Sequence, residues 1–321
     1  MKRSTVVIPN YNGISFLKDC LASVMDQSEE EYDVIVVDNG SADGSIEFLK
    51  KEYPEIVTIL LQTNTGFSKA VNIGIYEAKT PYIVLLNNDT VVDRHFIQEL
   101  TDTIEKKKTI FSVSAKMINM NQKDKLDGAG DLYCALGWGF ARGKGKSSHS
   151  FLKEGNVFSA CAGAAIYRSS ILKEIGCFDE EHFAYLEDMD LGYRAQIHGY
   201  MNRYQPDAIV FHAGSAVSGS RHNAFKVLLS AQNNVYLLYK NMPLVQYILN
   251  LPLLLIGFLI KWIFFIYKNL GCEFIRGTTN GIKLSLSKKG KVHKVPFHIK
   301  HLKNYVRIQF QLWGNVFLRL S

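Results

Sequence analysis

At residues 82–90 the chain reads YIVLLNNDT, an apolar run that ends abruptly in three polar residues. A continuous apolar run is typical of a buried parallel strand, and open α/β sheets bind their ligands beyond the carboxyl ends of such strands. Asp89 is therefore expected where a ligand binds, and its carboxylate and the neighbouring amides suit a hard divalent cation. An Asx-turn that merely closes the strand is the alternative, so other parts of the sequence must decide.

Strands and helices alternate on both sides of this run through the first 107 residues. Short apolar runs are separated by segments that carry apolar residues at helical spacing. This alternation predicts an α/β fold with a mostly parallel sheet and right-handed crossovers. The expected strands are residues 4–8, 34–37, 56–61 and 82–86, and the expected helices are one after Gly13 and others over 46–54, 67–78 and 96–107.

The middle of the chain loses this periodicity. Glycines interrupt residues 116–156, which predicts a loop-rich insertion. Loops of this length are functional lids or disordered segments, and both alternatives stay open. Beyond the insertion we expect a strand over 159–167, a helix over 186–198 and a strand over 208–211 that ends at His212.

The last third is strongly apolar. Leu, Ile, Phe, Trp and Tyr dominate residues 242–270, and a bilayer-spanning helix needs about 20 mostly apolar residues. Asn250, Pro252 and Lys261 interrupt the run, so a spanning helix, a re-entrant hairpin and an interfacial helix stay open as alternatives. We expect a domain of residues 1–240, with a nucleotide-sugar-binding half 1–115 and an acceptor and catalytic half 116–240, followed by a hydrophobic, helical, membrane-associating region 241–321.

Positive charge is concentrated in the tail. The chain has 37 Lys and Arg against 30 Asp and Glu, and residues 274–321 hold ten of the basic residues and no acidic one. A basic tail beside an apolar segment suits the anionic cytoplasmic face of a membrane. A buried dimer helix with a solvated tail is the alternative. Charge distributed in this way gives no support to nucleic-acid binding.

Cysteine usage indicates a reducing compartment. The five cysteines form no Cys-x-x-Cys pair and match no zinc spacing. Near the start of the sequence the apolar run at 6–8 is too short for the core of a signal peptide. We therefore expect the protein on the cytoplasmic side of the cell membrane, with peripheral or monotopic attachment.

Polar clusters follow four of the expected strands, although each cluster alone is an ordinary turn. Asp38 can accept hydrogen bonds from the imide of a pyrimidine base, and Tyr11 offers a face for stacking. No Gly-x-x-x-x-Gly-Lys-Ser/Thr loop occurs, and no Gly-x-Gly-x-x-Gly follows the first strand, so ATPase and dinucleotide-binding functions lose their usual support. The residues expected to reach ribose or phosphate are Asn64, Gly66 and Asn72.

Four motifs, taken in order, resemble those of the inverting family 2 glycosyltransferases of the GT-A fold, and most closely their rhamnosyltransferase and galactofuranosyltransferase branch. The motifs are VVIPNYNG at 6–13, VVDNGSADGS at 36–45, NTGFSKAVN at 64–72 and LLNNDT at 85–90. The resemblance covers about residues 4–240. It implies a nucleotide-sugar pocket formed by Pro9, Asn10, Tyr11, Asn12, Asp38, Asn39, Ser41, Asn64, Gly66, Phe67, Asn72, Asn87 and Asn88.

The segment LEDMDLGYR at 186–194 matches the acidic motif of that family. The resemblance assigns the role of general base to Asp188, which would take the proton that a sugar hydroxyl loses as it attacks the anomeric carbon. Acidic residues at a helix start also favour the helix dipole, which is our interpretation of Asp190, spaced for an i,i+4 pair with Arg194. Glu187, Gly163 and Trp138 are expected on the acceptor side of the site.

The same resemblance makes residues 87–89 a metal motif in which Asn87 replaces the Asp of many relatives. The missing charge leaves more of the metal binding to Asp89. His212 is similar to the histidine that completes the metal site in relatives, and imidazole is an acceptable ligand for manganese. A structural role for a histidine at a strand end is the alternative. The expected cofactor is Mn²⁺ or Mg²⁺.

The resemblance implies a metal-dependent inverting glycosyltransferase of bacterial polysaccharide or cell-wall synthesis. Its donor is a dTDP- or UDP-sugar, with dTDP-rhamnose as the first choice, and its acceptor is a hydroxyl of a lipid-linked or cell-surface glycan. A sugar nucleotidyltransferase and a non-catalytic nucleotide-sugar-binding partner in a glycan assembly complex are the alternatives. The expected partners are the donor, the glycan or glycolipid acceptor and the membrane surface, with no nucleic acid and with a homo-oligomer left open.

Overall fold

The computed structural model describes residues 2–214 and 222–320. The chain begins as four parallel strands joined by helices, because the apolar runs at 4–10, 34–38 and 82–86 are largely buried on both faces of a sheet and the segments between the strands are amphipathic. All four predicted strands are present. These elements are β1 (Ser4–Asn10), α1 (Ile14–Met25), β2 (Tyr32–Asp38), α2 (Ser45–Glu52), β3 (Val57–Leu60), α3 (Phe67–Glu77) and β4 (Tyr82–Leu86).

The strand β1 lies between β2 and β4, and all three run in the same direction. Asn10 at the end of β1 is opposite Asp38 at the end of β2. The carboxyl ends of these strands therefore meet at one edge of the sheet. Side chains of β1 alternate between two hydrophobic clusters, with Val6 and Ile8 in one and Val7 in the other.

The second half of the sheet is mixed. The strand β11 (Ala164–Arg168) is antiparallel to both β4 and β6 (Ile110–Asn119), whereas β6 is parallel to β12 (Met201–His212). The prediction of an α/β fold with a mostly parallel sheet is confirmed. The other elements of this part are β5 (Thr90–Val92), α4 (Phe96–Glu105) and α5 (Ser169–Ile175).

The last strand, β12, has 12 residues, so the prediction of a strand over 208–211 was too short. The first half of β12 is polar, which hides it from a search for apolar runs. Asn202 is buried and accepts a hydrogen bond from Ser112 Oγ at 2.8 Å, and Gln205 Nε2 donates to Thr103 at 2.8 Å. The strand predicted over 159–167 likewise begins only at residue 164.

Residues 116–156 contain short strands and tight turns, beginning with the end of β6. The strands β8 and β9 form a hairpin that turns at Gly137, where φ is +69°. A Cβ on Gly137 would lie 3.1 Å from Leu254 of helix α8 (Leu244–Tyr267), so the hairpin turn packs closely against that helix. The short strands are β7 (Leu126–Gly128), β8 (Asp131–Cys134), β9 (Trp138–Ala141) and β10 (Gly155–Val157).

The C-terminal region is helical. The helix α8 is a single helix of 24 residues that contains Pro252, rather than a re-entrant hairpin, and it is long and apolar enough to cross a membrane. The last helix packs against the hairpin β8–β9, where Leu312 O accepts a hydrogen bond from Ala135 N at 3.0 Å. The domain boundary at residue 240 stays a prediction. The remaining helices are α6 (Glu187–Ile197), α7 (Ala224–Asn241), α9 (Gly271–Leu286), α10 (Lys288–Val292) and α11 (Leu302–Leu320).

A buried ion network joins α6 to α7. Lys240 Nζ lies 2.7 Å from Asp179 Oδ2 and 2.9 Å from Asp190 Oδ2. Asp190 Oδ2 also accepts a hydrogen bond from Arg194 Nε at 2.9 Å, which confirms the predicted i,i+4 pair. Burial raises the pKa of Asp190, but Lys240 and Arg194 outweigh it and hold the pKa well below its usual range. The network therefore depends on a lysine that neutralises two buried carboxylates.

Replacing Lys240 by Met is expected to lower the free energy of unfolding by about 3–5 kcal/mol, because it leaves Asp179 and Asp190 short of a buried partner. The control Lys283→Met changes an exposed lysine of α9 and should stay within about 0.5 kcal/mol of the wild type. Urea titrations followed by circular dichroism measure both. Equal unfolding midpoints for the two variants would contradict the role given to Lys240.

Candidate active site

A cleft of about 980 Å³ lies at the edge of the sheet where β1, β2 and β4 end. Its walls come from those strand ends, the start of α3, the loop before α6, the hairpin β8–β9 and the start of α7. The structure thus brings together most of the residues expected from the sequence. They are Pro9, Asn10, Tyr11, Asn39, Asn64, Gly66, Phe67, Asn87, Asn88, Asp89, Gly163, Glu187 and Asp188.

Asn10 connects the three strand ends. Its Nδ2 donates to Asp38 Oδ2 at 2.8 Å, and its Oδ1 accepts a hydrogen bond from Asn88 Nδ2 at 2.6 Å. Gly13 makes room for this contact, because a Cβ there would lie 1.9 Å from Asn88 Nδ2. These bonds orient the polar side chains within the protein itself. Tyr11 is different, since it is 40% exposed on the cleft wall and has surface left for stacking.

Three of the predicted nucleotide-binding residues form the turn behind this wall. Asp38 is fully buried, and its Oδ1 accepts a hydrogen bond from the Ser41 backbone N–H at 2.8 Å. The Asn12 backbone N–H donates to Ser41 Oγ at 2.9 Å. None of the three is among the cleft-lining residues that the structure describes. Their contact with a nucleotide stays a prediction.

Asn72 and Trp138 also point to protein partners rather than into the cleft. Asn72 Nδ2 donates to Phe178 O at 2.8 Å and its Oδ1 accepts from Phe178 N at 3.0 Å, so it fixes the segment that follows α5. Trp138 Nε1 donates to Gly257 O of α8 at 3.0 Å. The indole therefore lies at the helical side of the hairpin, next to the cleft-lining residue Gly139.

The predicted metal ligands are neighbours. His212 Nε2 lies 3.4 Å from Asp89 Oδ1, and His212 Nδ1 lies 2.7 Å from Asp127 Oδ2. Burial lowers the pKa of His212, but the two carboxylates outweigh it and raise the pKa to about 9. A carboxylate and an imidazole are acceptable donors for Mn²⁺, and a second carboxylate that orients the ring is the usual support of such a ligand. The residues present thus fit a divalent cation.

Asp188 is the second residue of α6 and is partly buried in the cleft wall. Its Oδ1 accepts a hydrogen bond from Met189 N at 2.7 Å, and its Oδ2 accepts one from Ala162 N at 3.3 Å. Burial raises the pKa of Asp188, and the backbone hydrogen bonds oppose that rise. The carboxylate is therefore both oriented and more basic than an exposed one, as a general base requires.

The loop before Asp188 has an uncommon backbone. Phe183, Tyr185 and Leu186 have φ values of 56°, 73° and 65°, in the left-handed region that is costly for residues with a Cβ. Asn233 of α7 stabilises this conformation, because its Nδ2 donates to the carbonyl oxygens of Ala184 and Tyr185, each at 2.8 Å. The position of Asp188 thus depends on a residue of the C-terminal third.

Asp131 is the cleft residue that the sequence analysis missed. The side-chain ligand atoms of Asp131, Cys161 and Asp188 all lie within 4.8 Å of one another. Burial and the charge of Asp188 raise the pKa of Asp131 to about 8, and the same two causes raise the pKa of Glu187 to about 8. Asp131 and Glu187 therefore favour their protonated forms at neutral pH. The sequence held only one signal, a pair of aspartates, Asp127 and Asp131, on either side of Gly-Ala-Gly in the glycine-rich insertion.

Fold and cleft together define a nucleotide-sugar glycosyltransferase of the GT-A type. The chain belongs to glycosyl transferase family 2, because a sequence model of that family matches residues 5–176. Its enzyme class is therefore that of a glycosyltransferase rather than a sugar nucleotidyltransferase. The family match does not distinguish the rhamnosyl- and galactofuranosyltransferase branch from other branches, so the assignment to that branch stays a prediction.

Curated relatives include the poly-beta-1,6-N-acetyl-D-glucosamine synthase of Staphylococcus aureus (strain COL). The two chains are 23% identical over 207 residues, which cover 64% of this chain and 48% of the synthase. The chain thus spans about half the length of the curated relatives that it matches.

Solved structures that share the fold include two with a bound nucleotide and Mn²⁺. One is GalNAc-T7 with UDP, GalNAc and Mn²⁺, with a TM-score of 0.60, 16% identity and coverage of 75% of this chain and 48% of that one. The other is the mannosyltransferase PcManGT from Pyrobaculum calidifontis with GDP-Man and Mn²⁺, with a TM-score of 0.56, 15% identity and coverage of 97% and 84%. The predicted GT-A fold is confirmed.

Asp131→Asn is expected to change how stability depends on pH. The pKa of Asp131 in the folded protein, about 8, is above that of an unfolded aspartate, so this group stabilises the fold at low pH and the stabilisation is lost as pH rises to 8. The variant lacks this loss. The free energy of unfolding of the variant, relative to that of the wild type, should therefore rise by about 1–3 kcal/mol from pH 5 to pH 8. Urea titrations with chelator present measure it at both pH values.

The matched control is Asp124→Asn, which changes an exposed aspartate of the same insertion. It should follow the wild type at both pH values. A constant difference between Asp131→Asn and the wild type at pH 5 and pH 8 would show that Asp131 is not protonated in the folded protein.

Proposed function

We propose that this glycosyltransferase moves a sugar from a dTDP- or UDP-linked donor to a hydroxyl of a lipid-linked or cell-surface glycan, with inversion at the anomeric carbon. The observation that carries the proposal is that Asp89 and Asp188 lie in the walls of one cleft, together with the strand ends that resemble a nucleotide pocket. Rhamnose from dTDP-rhamnose is the first donor to test, and galactofuranose from its UDP donor is the second.

Asp188 acts as the general base in this proposal. It accepts the proton of the acceptor hydroxyl as that oxygen bonds to the anomeric carbon, while the bond to the diphosphate breaks and its electron pair leaves with the diphosphate. Its hydrogen bonds from Met189 and Ala162 hold the carboxylate in place for this step. Burial raises the pKa of Asp188 and so favours proton uptake.

Asp89 and His212 would hold Mn²⁺ or Mg²⁺, which when bound supplies positive charge against the departing diphosphate. The fit of a carboxylate and an imidazole to such an ion supports this assignment. Asp127, at 2.7 Å from His212 Nδ1, orients the ring. The presence of Mn²⁺ with a nucleotide in GalNAc-T7 and in PcManGT gives further support.

The C-terminal region is proposed to hold the enzyme at the cytoplasmic leaflet. Large apolar side chains of α8 are exposed, among them Leu255 at 63% and Ile263 at 56%. Exposed apolar surface on this scale marks an interaction site. The ten basic residues of 274–321 suit the anionic lipid surface beside it.

Asp188→Asn should lower the rate of transfer by about a hundredfold or more, because general base catalysis contributes about 10²–10⁴. Donor binding should remain, measured as the rise in melting temperature with dTDP-rhamnose or UDP-galactofuranose and Mn²⁺. Asp124→Asn serves as the matched control and should keep both properties. Turnover at the wild-type rate in Asp188→Asn would remove Asp188 from this role, and the lack of any donor-dependent shift in the wild type would reject the proposed function.

Membrane attachment is tested by the double variant Leu255→Glu and Ile263→Glu on α8. A charged side chain costs about 2.5–3.5 kcal/mol at the centre of a bilayer on insertion scales and less near the head groups, so two of them on the apolar surface of α8 should abolish flotation with anionic vesicles. The control variant, Tyr76→Glu and Val57→Glu, changes two exposed apolar residues of the first half and should float like the wild type. Unchanged flotation of the α8 variant would place the attachment elsewhere.

A further inference from the structure

Two cationic side chains lie close to the indole of Trp138, where the hairpin β8–β9 contacts the C-terminal helices. Lys261 Nζ of α8 lies 5.9 Å from the centre of the Trp138 ring, and Arg319 Cζ of α11 lies 5.8 Å from the same centre. Arg319 Cζ also lies 5.6 Å from the centre of the Phe140 ring. The bond from Trp138 Nε1 to Gly257 O fixes the indole, so three separate elements converge on this point.

No ion pair holds either cation among residues 2–214 and 222–320. Lys261 is partly buried, and its neighbour Arg319 repels it. Keeping a partly buried ammonium close to a second positive charge costs free energy unless an anion offsets it. Lys240, the buried lysine of α7, shows the usual solution, since it has two carboxylates within 2.9 Å. Arg319 is exposed and can be satisfied by water, whereas Lys261 is partly buried and has no ion pair among the described residues. Lys261 therefore indicates an anionic ligand, which the neighbouring Arg319 can also reach.

The chemistry of the two residues favours a phosphate. Arginine binds phosphate through two parallel N–H groups, and lysine binds it as a point charge. Lys261 lies in the last third of α8, the helix whose exposed apolar side chains suit lipid. A cation near the end of such a helix reaches the level of lipid head groups. A phosphate carried by a lipid would thus meet both the apolar helix and the cation pair.

The strand β9 leads from this point to the cleft. It starts at Trp138, and its next three residues, 139–141, line the cleft. Four residues of strand span about 10 Å, so the junction and the cleft are close neighbours. The hairpin turn is held against α8, because a Cβ on Gly257 would lie 2.0 Å from Leu136 O. A ligand that lies along β9 would therefore reach from α8 to the cleft.

We propose that Lys261 and Arg319, beside Trp138, bind the phosphate of a lipid-linked acceptor whose glycan lies along β9 and enters the cleft. This inference rests on the proposed function, since it names the acceptor class of the same active site. It assigns a new role to Trp138, which borders the phosphate at the base of the acceptor rather than the sugar in the cleft.

The test compares binding of the full-length protein to three kinds of phosphatidylcholine vesicle: without addition, with polyprenyl phosphate, and with the same fraction of phosphatidylglycerol. The site variant is Lys261→Gln with Arg319→Gln. The matched control is Lys283→Gln with Lys288→Gln, which removes the same charge from exposed positions of the tail. We expect the affinity of the site variant to fall about tenfold or more for polyprenyl phosphate vesicles and about threefold or less for phosphatidylglycerol vesicles. The affinity of the control should fall by the same factor for both kinds of vesicle.

If the site variant and the control lost affinity for polyprenyl phosphate vesicles by the same factor, the inference would be overturned, because Lys261 and Arg319 would then act only as general positive charge. The exchange variant Lys261→Arg with Arg319→Lys keeps both charges and should keep the preference for polyprenyl phosphate; loss of the preference there would also overturn it. In the lipid-free protein with Trp262 and Trp313 replaced by Phe, so that Trp138 is the remaining tryptophan, a change of fluorescence with inorganic phosphate that equals the change with polyprenyl phosphate would assign the site to free phosphate and reject the lipid.

The donor-dependent rise in melting temperature is measured on the same samples. If that rise is present and the preference for polyprenyl phosphate is absent, this inference fails and the proposed function stands. If the rise is absent, the proposed function itself fails.

Discussion

The buried pairing of Lys240 with Asp190 is the contact on which the cleft depends. It attaches α7 to α6, and Asp179 and Arg194 complete the network on either side. The start of α6 supplies Glu187 and Asp188 to the cleft, so their position follows from where this helix is held. A buried charge network of this kind adds little net stability, but it permits few alternative arrangements of the helices that share it.

Two aspartates of the same helix, two residues apart, have opposite electrostatic environments. Cations surround Asp190 and lower its pKa, whereas burial raises the pKa of Asp188. Separation of pKa values within one short segment is how proteins assign different roles to identical side chains. Asp190 is thereby kept ionised for a structural role, and Asp188 is left able to exchange a proton.

The sequence was most informative where long-range contacts matter least. The strand over 82–86 was predicted with the bounds that it has, because a buried parallel strand is apolar throughout. The hairpin β8–β9 and the first half of β12 were missed, since short glycine-rich strands lack periodicity. Asn202 of β12 can be buried because groups of other elements, Ser112, Phe158 and Gly192, bind its side chain. The cleft residues at strand ends were found from their positions along the chain.

Side-chain direction at the site could not be predicted in the same way. Asp38 and Asn72 make hydrogen bonds to protein groups in the structure, and their contact with a nucleotide stays a prediction. Asp131 was missed because its proximity to Asp188 arises from a pairing between residues far apart in the chain. Sequence position along a strand thus defines which edge a residue reaches, and tertiary contacts define what it does there.

The loop that precedes Asp188 has a consequence for how the enzyme matures. Its left-handed residues Phe183, Tyr185 and Leu186 are stable only with the hydrogen bonds that Asn233 provides from α7. A ribosome makes residue 188 well before residue 233, so the acidic motif exists for a time without the support that orients it. With Asp188 in its proposed role as the base, the support that orients it forms only after α7 has emerged from the ribosome and docked, so that role becomes available late in synthesis.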